Sequence, residues 1–294
     1  MDRTKTLACL TAALLALSAC GPKPVLVVGS KNFTEQVLLA EILAQHLERR
    51  LHITVGRKFN LGGTLIAQAA ITSGAIDLYP EYSGTALNAV LHLPAEKDPA
   101  LVMQRVRDSY RENWQLQWLP PLGFNNTFAM MVRGDIARRT GIRTLSDAAR
   151  TQAWKLGAGY EFKQRPDGLA GLLSTYSLRS DGDPVTMDLG LLYAALKSRK
   201  VDLIAANSTD GLAAVLDVKM LEDDRHYFPP YECAVVVRES SLSRVPGLDA
   251  ALRELSGKLS DAVMRKLNFG VDGEHRPPAQ VATRFLDAAF QGQR

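Results

Sequence analysis

The run VLVVGS at residues 25–30 constrains the fold more than any other feature of the chain. It is continuously apolar, with no polar alternation, and it ends in Gly-Ser. Such a run reads as a strand buried on both faces, the environment of a parallel sheet. Parallel strands need a crossover, usually a helix, and one follows at once. Leu38, Leu39, Ile42, Leu43 and Leu47 fall at helical intervals and predict an amphipathic helix over 34–50. Asn32, with Glu35 three residues on, has the spacing of a capping box. The alternation continues with a strand over 51–59, a turn at NLGGT (60–64), a helix over 64–73, a strand over 75–79 and a helix over 84–92. Within DLYPEYSGT (77–85), Asp77 and Leu78 close a strand and Pro80 turns the chain. This β-α-β-α order predicts an α/β lobe with a largely parallel sheet.

A polar, proline-bearing loop at 93–100 and a helix over 99–113 come next. The apolar stretch 116–124 then reaches Pro120-Pro121 and Gly123. A second α/β set follows: strands over 127–133, 154–158 and 200–205, with helices over 144–152, near 166–176 and over 187–198. YFPPYECAVVVR (227–238) repeats the earlier device of Pro-Pro, an aromatic residue and a strand. Helices over 247–255, 258–267 and near 278–290 close the chain. Two Pro-Pro breaks about a hundred residues apart predict two hinge crossings, with lobe 2 (125–228) inserted into lobe 1 (25–124 and 229–294).

The first twenty residues have the pattern of an export signal: Arg3 and Lys5, an apolar run from Leu7 to Leu17, then small residues before Cys20. Leu17-Ser18-Ala19-Cys20 resembles the lipobox of bacterial lipoproteins. It predicts cleavage after residue 19, lipidation of Cys20 and a short tether over 20–24. Ordinary cleavage with Cys20 incidental is the alternative. Of the three cysteines only Cys233 then remains unmodified in the mature chain, so no intrachain disulfide forms. A hydrophobic content of 46% suffices for a core without one. The formal charge of +4 is scattered rather than gathered on a basic face, which argues against nucleic-acid binding.

Six motifs occur in order: VVGSKNFTEQ (27–36), ITSGAIDLYPEYSGT (71–85), FNNTFA (124–129), RPDGLAGL (165–172), STDGLAAV (208–215) and FPPYECAVVVR (228–238). They resemble the substrate-binding proteins of osmoprotectant ABC transporters, which capture glycine betaine, choline, carnitine and related compounds. The resemblance implies a two-lobed, type II-like periplasmic-binding-protein fold with a ligand cleft between the lobes. It also implies a monomeric, extracytoplasmic protein with no cofactor, no metal and no catalytic activity, partnered by an ABC permease. A trimethylammonium group is charged but has no N–H, so aromatic faces are its natural partners; a carboxylate calls for Arg or Lys. By position in the motifs, the resemblance implies cage walls at Tyr82, Tyr231 and Phe128, and carboxylate partners at Lys31, Thr85 and Arg165. Phe128 stands where that family usually has tyrosine. Asn207 stands where betaine binders generally present tyrosine, which leaves open a larger or more polar ligand such as carnitine or ergothioneine, or choline.

Each of these residues also has a plainer reading. Tyr82 and Tyr231 could be ordinary half-buried rings, Phe128 core packing, Lys31 a solvated lysine and Asn207 a loop stabiliser. Arg165 could pair with Glu161 or Asp167 at the surface. Tyr79 reads as a second wall or a core residue, and Glu81 and Asp210 as loop-orienting groups. The Leu61-Gly62-Gly63-Thr64 turn could cradle an anion at a helix start but lacks a P-loop lysine. Two other function classes stand beside transport. One is a sensor or chaperone-like lipoprotein on the same fold. The other is a hydrolase using Cys233 with His226, although the five histidines are dispersed without metal-binding spacing.

Overall fold

The computed structural model describes residues 24–291, so the expected export signal and lipidated Cys20 lie outside the described residues. Two five-stranded sheets organise the described residues. The first has the order β2-β1-β3-β10-β4, built from β1 (Leu26–Gly29), β2 (Val55–Lys58), β3 (Leu78–Tyr82), β4 (Leu116–Trp118) and β10 (Cys233–Arg238). β1 runs parallel to β2 and β3. β10 lies antiparallel between β3 and β4. Its residues divide by alternation. Cys233, Val235 and Val237 join a core with the helix α1 (Thr34–Leu51), while Ala234 and Val236 join one with α2 (Thr64–Thr72) and α3 (Pro99–Trp114). Helices cover both faces of this sheet, which is why β1 (LVVG) and the CAVVV run of β10 are continuously apolar, whereas the edge strand β2 carries exposed Arg57 and Lys58.

The second sheet has the order β7-β6-β8-β5-β9, from β5 (Phe128–Arg133), β6 (Leu156–Ala158), β7 (Val185–Thr186), β8 (Leu203–Asn207) and β9 (Val218–Met220). It too is filled on both faces. Met130 and Val132 of β5 enter one core, and Ala129 and Met131 the other. The chain crosses between sheets from β4 to β5 and returns from β9 to β10. The two crossings lie side by side: Leu122 N–H donates to Cys233 O at 2.8 Å and Asn126 N–H to Tyr231 O at 3.1 Å. Residues 125 and 232 form an isolated antiparallel bridge.

Three local expectations are corrected. Pro80 does not turn the chain. It sits within β3, opposite Val235. β1 reaches β3 only at Leu78, so beyond that point β3 has a free side on which the missing N–H of proline leaves no ladder bond unmade. The Asn32–Glu35 capping box is absent, because Phe33 is the residue before the helix and no side chain caps it; Glu35 turns inward instead. In place of a regular helix over 84–92, a single turn at Ser83–Thr85 leads into a wide π turn at Ala86–Val90. The short elements Gly134–Thr140, Tyr160–Gln164, Glu239–Arg244, β7 and β9 had no periodic signal of sufficient length. Among the described residues no helix is long and apolar enough to cross a membrane.

Candidate functional site

The loop after β1, the end of β3 and its following turn, the start of β5, the segment after β6, the end of β8 and the returning crossing converge on one cavity of about 180 Å³. Lys31, Tyr82, Thr85, Phe128, Arg165, Asn207 and Tyr231 all line it. Their separation in sequence is removed by strand ends meeting between the two sheets.

Lys31 is 3% exposed. Its ammonium donates to Glu81 Oε1 at 2.5 Å and to Thr64 Oγ1 at 3.0 Å, and lies 5.5 Å from the centroid of the Tyr82 ring. Glu81 is fully buried, so it is the counter-ion of Lys31 rather than a loop-orienting group. Tyr79, also fully buried, donates its hydroxyl to the other Glu81 oxygen at 3.2 Å and belongs to the core.

Arg165 is buried, not at the surface. Its Nε and one terminal nitrogen hold Asp167 in a fork at 2.8 and 2.5 Å. The other terminal nitrogen donates to Thr85 Oγ1 at 3.1 Å, across from the first sheet. The guanidinium lies 5.1 Å from the Phe128 centroid and 5.8 Å from that of Tyr231, while the Tyr231 hydroxyl donates to Asp167 at 2.5 Å. Burial opposes the charge of Arg165, but the hydrogen bonds and charge of Asp167 raise its pKa above the ordinary value.

Donor accounting shows what this arrangement can bind. A guanidinium has five N–H groups and an ammonium three. Arg165 uses three in the contacts above and Lys31 uses two. Two N–H groups of Arg165, one of Lys31 and the Thr85 hydroxyl hydrogen are left without a protein acceptor. They form a donor set for a carboxylate. On the other walls, Phe128 stands edge-on to Phe162 at 4.8 Å and to Tyr231 at 5.6 Å.

Three site features escaped the sequence reading. Phe33 stacks on Tyr82 at 6.3 Å and lines the cavity; it lies inside the GSKNF motif, which was the available signal. Glu161 does not pair with Arg165. It accepts from Thr64 N–H and, at 3.1 Å, from Thr64 Oγ1, so the Gly62-Gly63-Thr64 turn does cradle an anion, one supplied by the body of the second sheet. Gly62 has φ of 130° and so needs glycine, and a Cβ on Gly63 would strike the Glu161 carboxylate. The third feature is Glu35, fully enclosed. It accepts from Tyr82 Oη (2.7 Å), Asn126 Nδ2 (2.8 Å), Thr209 Oγ1 (2.6 Å) and Asn268 Nδ2 (2.8 Å). Burial raises its pKa against those four donors.

Asn207 is opposite Phe128 in the β5–β8 register. Its backbone N–H donates to Asp210 Oδ2 at 3.1 Å, and the Tyr193 hydroxyl to the same oxygen at 3.0 Å. Burial pushes Asp210 up from 3.8 to about 7 despite these donors. An acid with a raised folded pKa is neutral in both states below its unfolded value and penalised in the fold once ionised. Stability is therefore lost as pH rises from about 4 to 7. Asp210→Asn keeps an acceptor and removes the ionisation. Thermal unfolding should show it more stable than wild type by about 1–3 kcal/mol at pH 8, with the gap closed at pH 4.

Cys233 is fully buried, and burial, followed by the charges of Glu35 and Glu81, drives its thiol pKa up; His226 is exposed. That pair has no nucleophilic geometry. Among the described residues no group of three or more His, Cys, Asp or Glu side chains could hold a metal ion.

Comparison with known proteins agrees with this architecture. Residues 24–288 match the family model described as the substrate binding domain of ABC-type glycine betaine transport systems. A glycine-betaine-binding protein of Pseudomonas aeruginosa is 37% identical over 97% of this chain and 94% of its own length. An ergothioneine transport permease/ergothioneine binding protein of Helicobacter pylori is 34% identical over 93% of this chain, which spans 49% of that longer protein. A crystal structure described as a glycine betaine/carnitine/choline ABC transporter superposes with a TM-score of 0.76 at 30% identity, covering 90% of this chain and all of the other. The α/β, two-lobed periplasmic-binding-protein fold follows, and the chain belongs to the family of substrate-binding domains of ABC-type glycine betaine transport systems.

Proposed function

We propose that this protein is a lipid-anchored, extracytoplasmic solute-binding protein that captures a zwitterionic quaternary-ammonium compound, glycine betaine or a related betaine, and delivers it to an ABC permease. Lobe 1 comprises residues 25–124 and 229–294, lobe 2 residues 125–228, and Cys20 carries the anchor. The protein performs no chemistry on its ligand and acts as a monomer without a cofactor. The observation that carries this reading is the donor set left open by Arg165, Lys31 and Thr85 in the same cavity as Tyr82, Phe33, Phe128 and Tyr231. Donors suit a carboxylate, and aromatic faces suit a cation that cannot hydrogen-bond.

Both lobes contribute. Arg165 meets Thr85 and Glu161 meets Thr64 across the cleft, so a ligand bridging the same groups adds its binding energy to the closed state alone. Titration calorimetry of the purified protein tests the reading. Glycine betaine or carnitine should bind at one site per chain and at least about ten-fold tighter than choline, a difference of about 1.4 kcal/mol. Failure of every trimethylammonium compound to bind would overturn it.

A further inference from the structure

Two acidic side chains meet where the lobes touch. Glu35 lies in the first turn of α1, beside the first sheet, and Asp210 follows β8 of the second. Thr209, next to Asp210 in the chain, links them by donating its hydroxyl to Glu35 Oε2 at 2.6 Å. Thr209 is fully buried, and its carbonyl accepts from Asn268 Nδ2 at 3.0 Å. Just beyond, Gly211 lies so close to the helix Asp261–Asp272 that a Cβ would strike the Phe269 backbone. A cavity of about 390 Å³ opens beside this contact, with walls from both lobes. Glu35 and Asp272 line it from one side and Asp188 and Asp210 from the other, and no Lys or Arg lines it. Negative charge therefore meets negative charge across it.

The four acids differ in what offsets their charge. Glu35 has its four hydrogen-bond donors. Asp272 has the Thr34 hydroxyl at 2.6 Å and the charge of His275 in its favour. Asp188 is exposed to solvent. Asp210 has the Tyr193 hydroxyl and the Asn207 backbone N–H on one oxygen, and only Asn207 Nδ2 at 3.5 Å near the other. The charge of Glu35 opposes its ionisation. Arg265, on the helix that packs against this segment, directs its guanidinium to Ser208 O at 3.2 Å. Asp210 is thus the acid whose ionised form the closed arrangement supports least.

We propose that Asp210 is a proton switch for closure: the lobes come fully together only when its carboxyl is neutral, so ligand is held more tightly in acid than in alkaline surroundings. This rests on the reading of the protein as a two-lobed binder that closes on a betaine. When the lobes part, water enters the cavity, Glu35 recedes and Asp210 returns toward an ordinary carboxylate. Its pKa of about 7 then belongs to the closed form alone. Closing takes up a proton wherever the pH lies between the open and closed values. Affinity is greatest below the open value, falls as pH rises and levels off above about 7. The ligand is not the source of such an effect. A quaternary ammonium has no proton to lose, and its carboxylate is already ionised above about pH 4.

Calorimetric titration with glycine betaine from about pH 5 to about pH 8 tests this, repeated near pH 6 in two buffers of different protonation enthalpy. Wild type should bind at least about ten-fold tighter at about pH 5 than at about pH 8. Near pH 6 it should take up most of one proton per ligand bound. Asp210→Asn keeps an acceptor but cannot ionise, so it should take up almost no proton and bind with the same affinity across the range. A wild-type affinity that stays within about two-fold over that range, with no proton uptake, would overturn the switch and leave the betaine reading standing. Undiminished proton uptake by a folded Asp210→Asn protein would also overturn it, because another group would then carry the proton. Absence of glycine betaine binding at every pH would overturn the proposed function and the switch together.

Discussion

Arg165→Ala should weaken glycine betaine binding by at least about 100-fold, or about 2.7 kcal/mol, while choline binding falls by less than about ten-fold. The first loss has two sources. The variant removes two open N–H donors from the cavity and the only hydrogen bond that joins Arg165 to Thr85. It also leaves Asp167 buried with the Tyr231 hydroxyl as its remaining donor. Breaking a buried pair by deleting one member costs about 3–5 kcal/mol in other proteins, so the variant should also melt earlier. Choline has no carboxylate and feels only the disturbed rings of Phe128 and Tyr231. Titration calorimetry on folded variant, checked by its melting curve, separates the effects. Unchanged betaine affinity would remove Arg165 from the site.

Glu35→Ala should be the most damaging single substitution for stability. It would strand the hydroxyls of Tyr82 and Thr209 and the amide of Asn126 in an enclosed space, and leave the Asn268 amide with Thr209 O alone. Each buried donor without an acceptor costs about 1–3 kcal/mol, which sets the expected loss at about 4 kcal/mol or more. The four donors come from the end of β3, a crossing, the loop after β8 and the helix Asp261–Asp272. Glu35 thus ties both sheets to the connection between them. Denaturant unfolding measures the loss, and Glu35→Gln, which keeps one acceptor oxygen, should recover part of it. An alanine variant within about 1 kcal/mol of wild type would show that water replaces the carboxylate there.

Much of the fold was legible because burial on two faces writes itself into a chain as uninterrupted apolar runs. VLVVG and CAVVVR could be read as strands, and the 3.6-residue spacing after Thr34 as a helix. Short elements were not legible. A two-residue strand such as β7 or a five-residue helix such as Tyr160–Gln164 has no period to detect. Pro80 misled for a different reason. Its propensity for turns is intrinsic, whereas its tolerance within β3 depends on where the neighbouring β1 ends.

At the site, the motifs brought the seven residues forward, and the structure brings all seven to one cavity. The charges around them were not legible. Glu35 looked like a capping residue because its spacing from Asn32 is local, but its partners lie 47 to 233 residues away. Glu161 looked like a partner for Arg165 because it is near in sequence, yet it answers Thr64, 97 residues back.

The sequence by itself determined the alternation of strands and helices, the two proline-marked crossings and the residue types that line the cavity, because these depend on local periodicity, backbone restriction and side-chain chemistry. Only the tertiary structure decided which acid neutralises which base and which donors remain open. Those outcomes depend on distances between segments far apart in the chain, and packing alone fixes such distances.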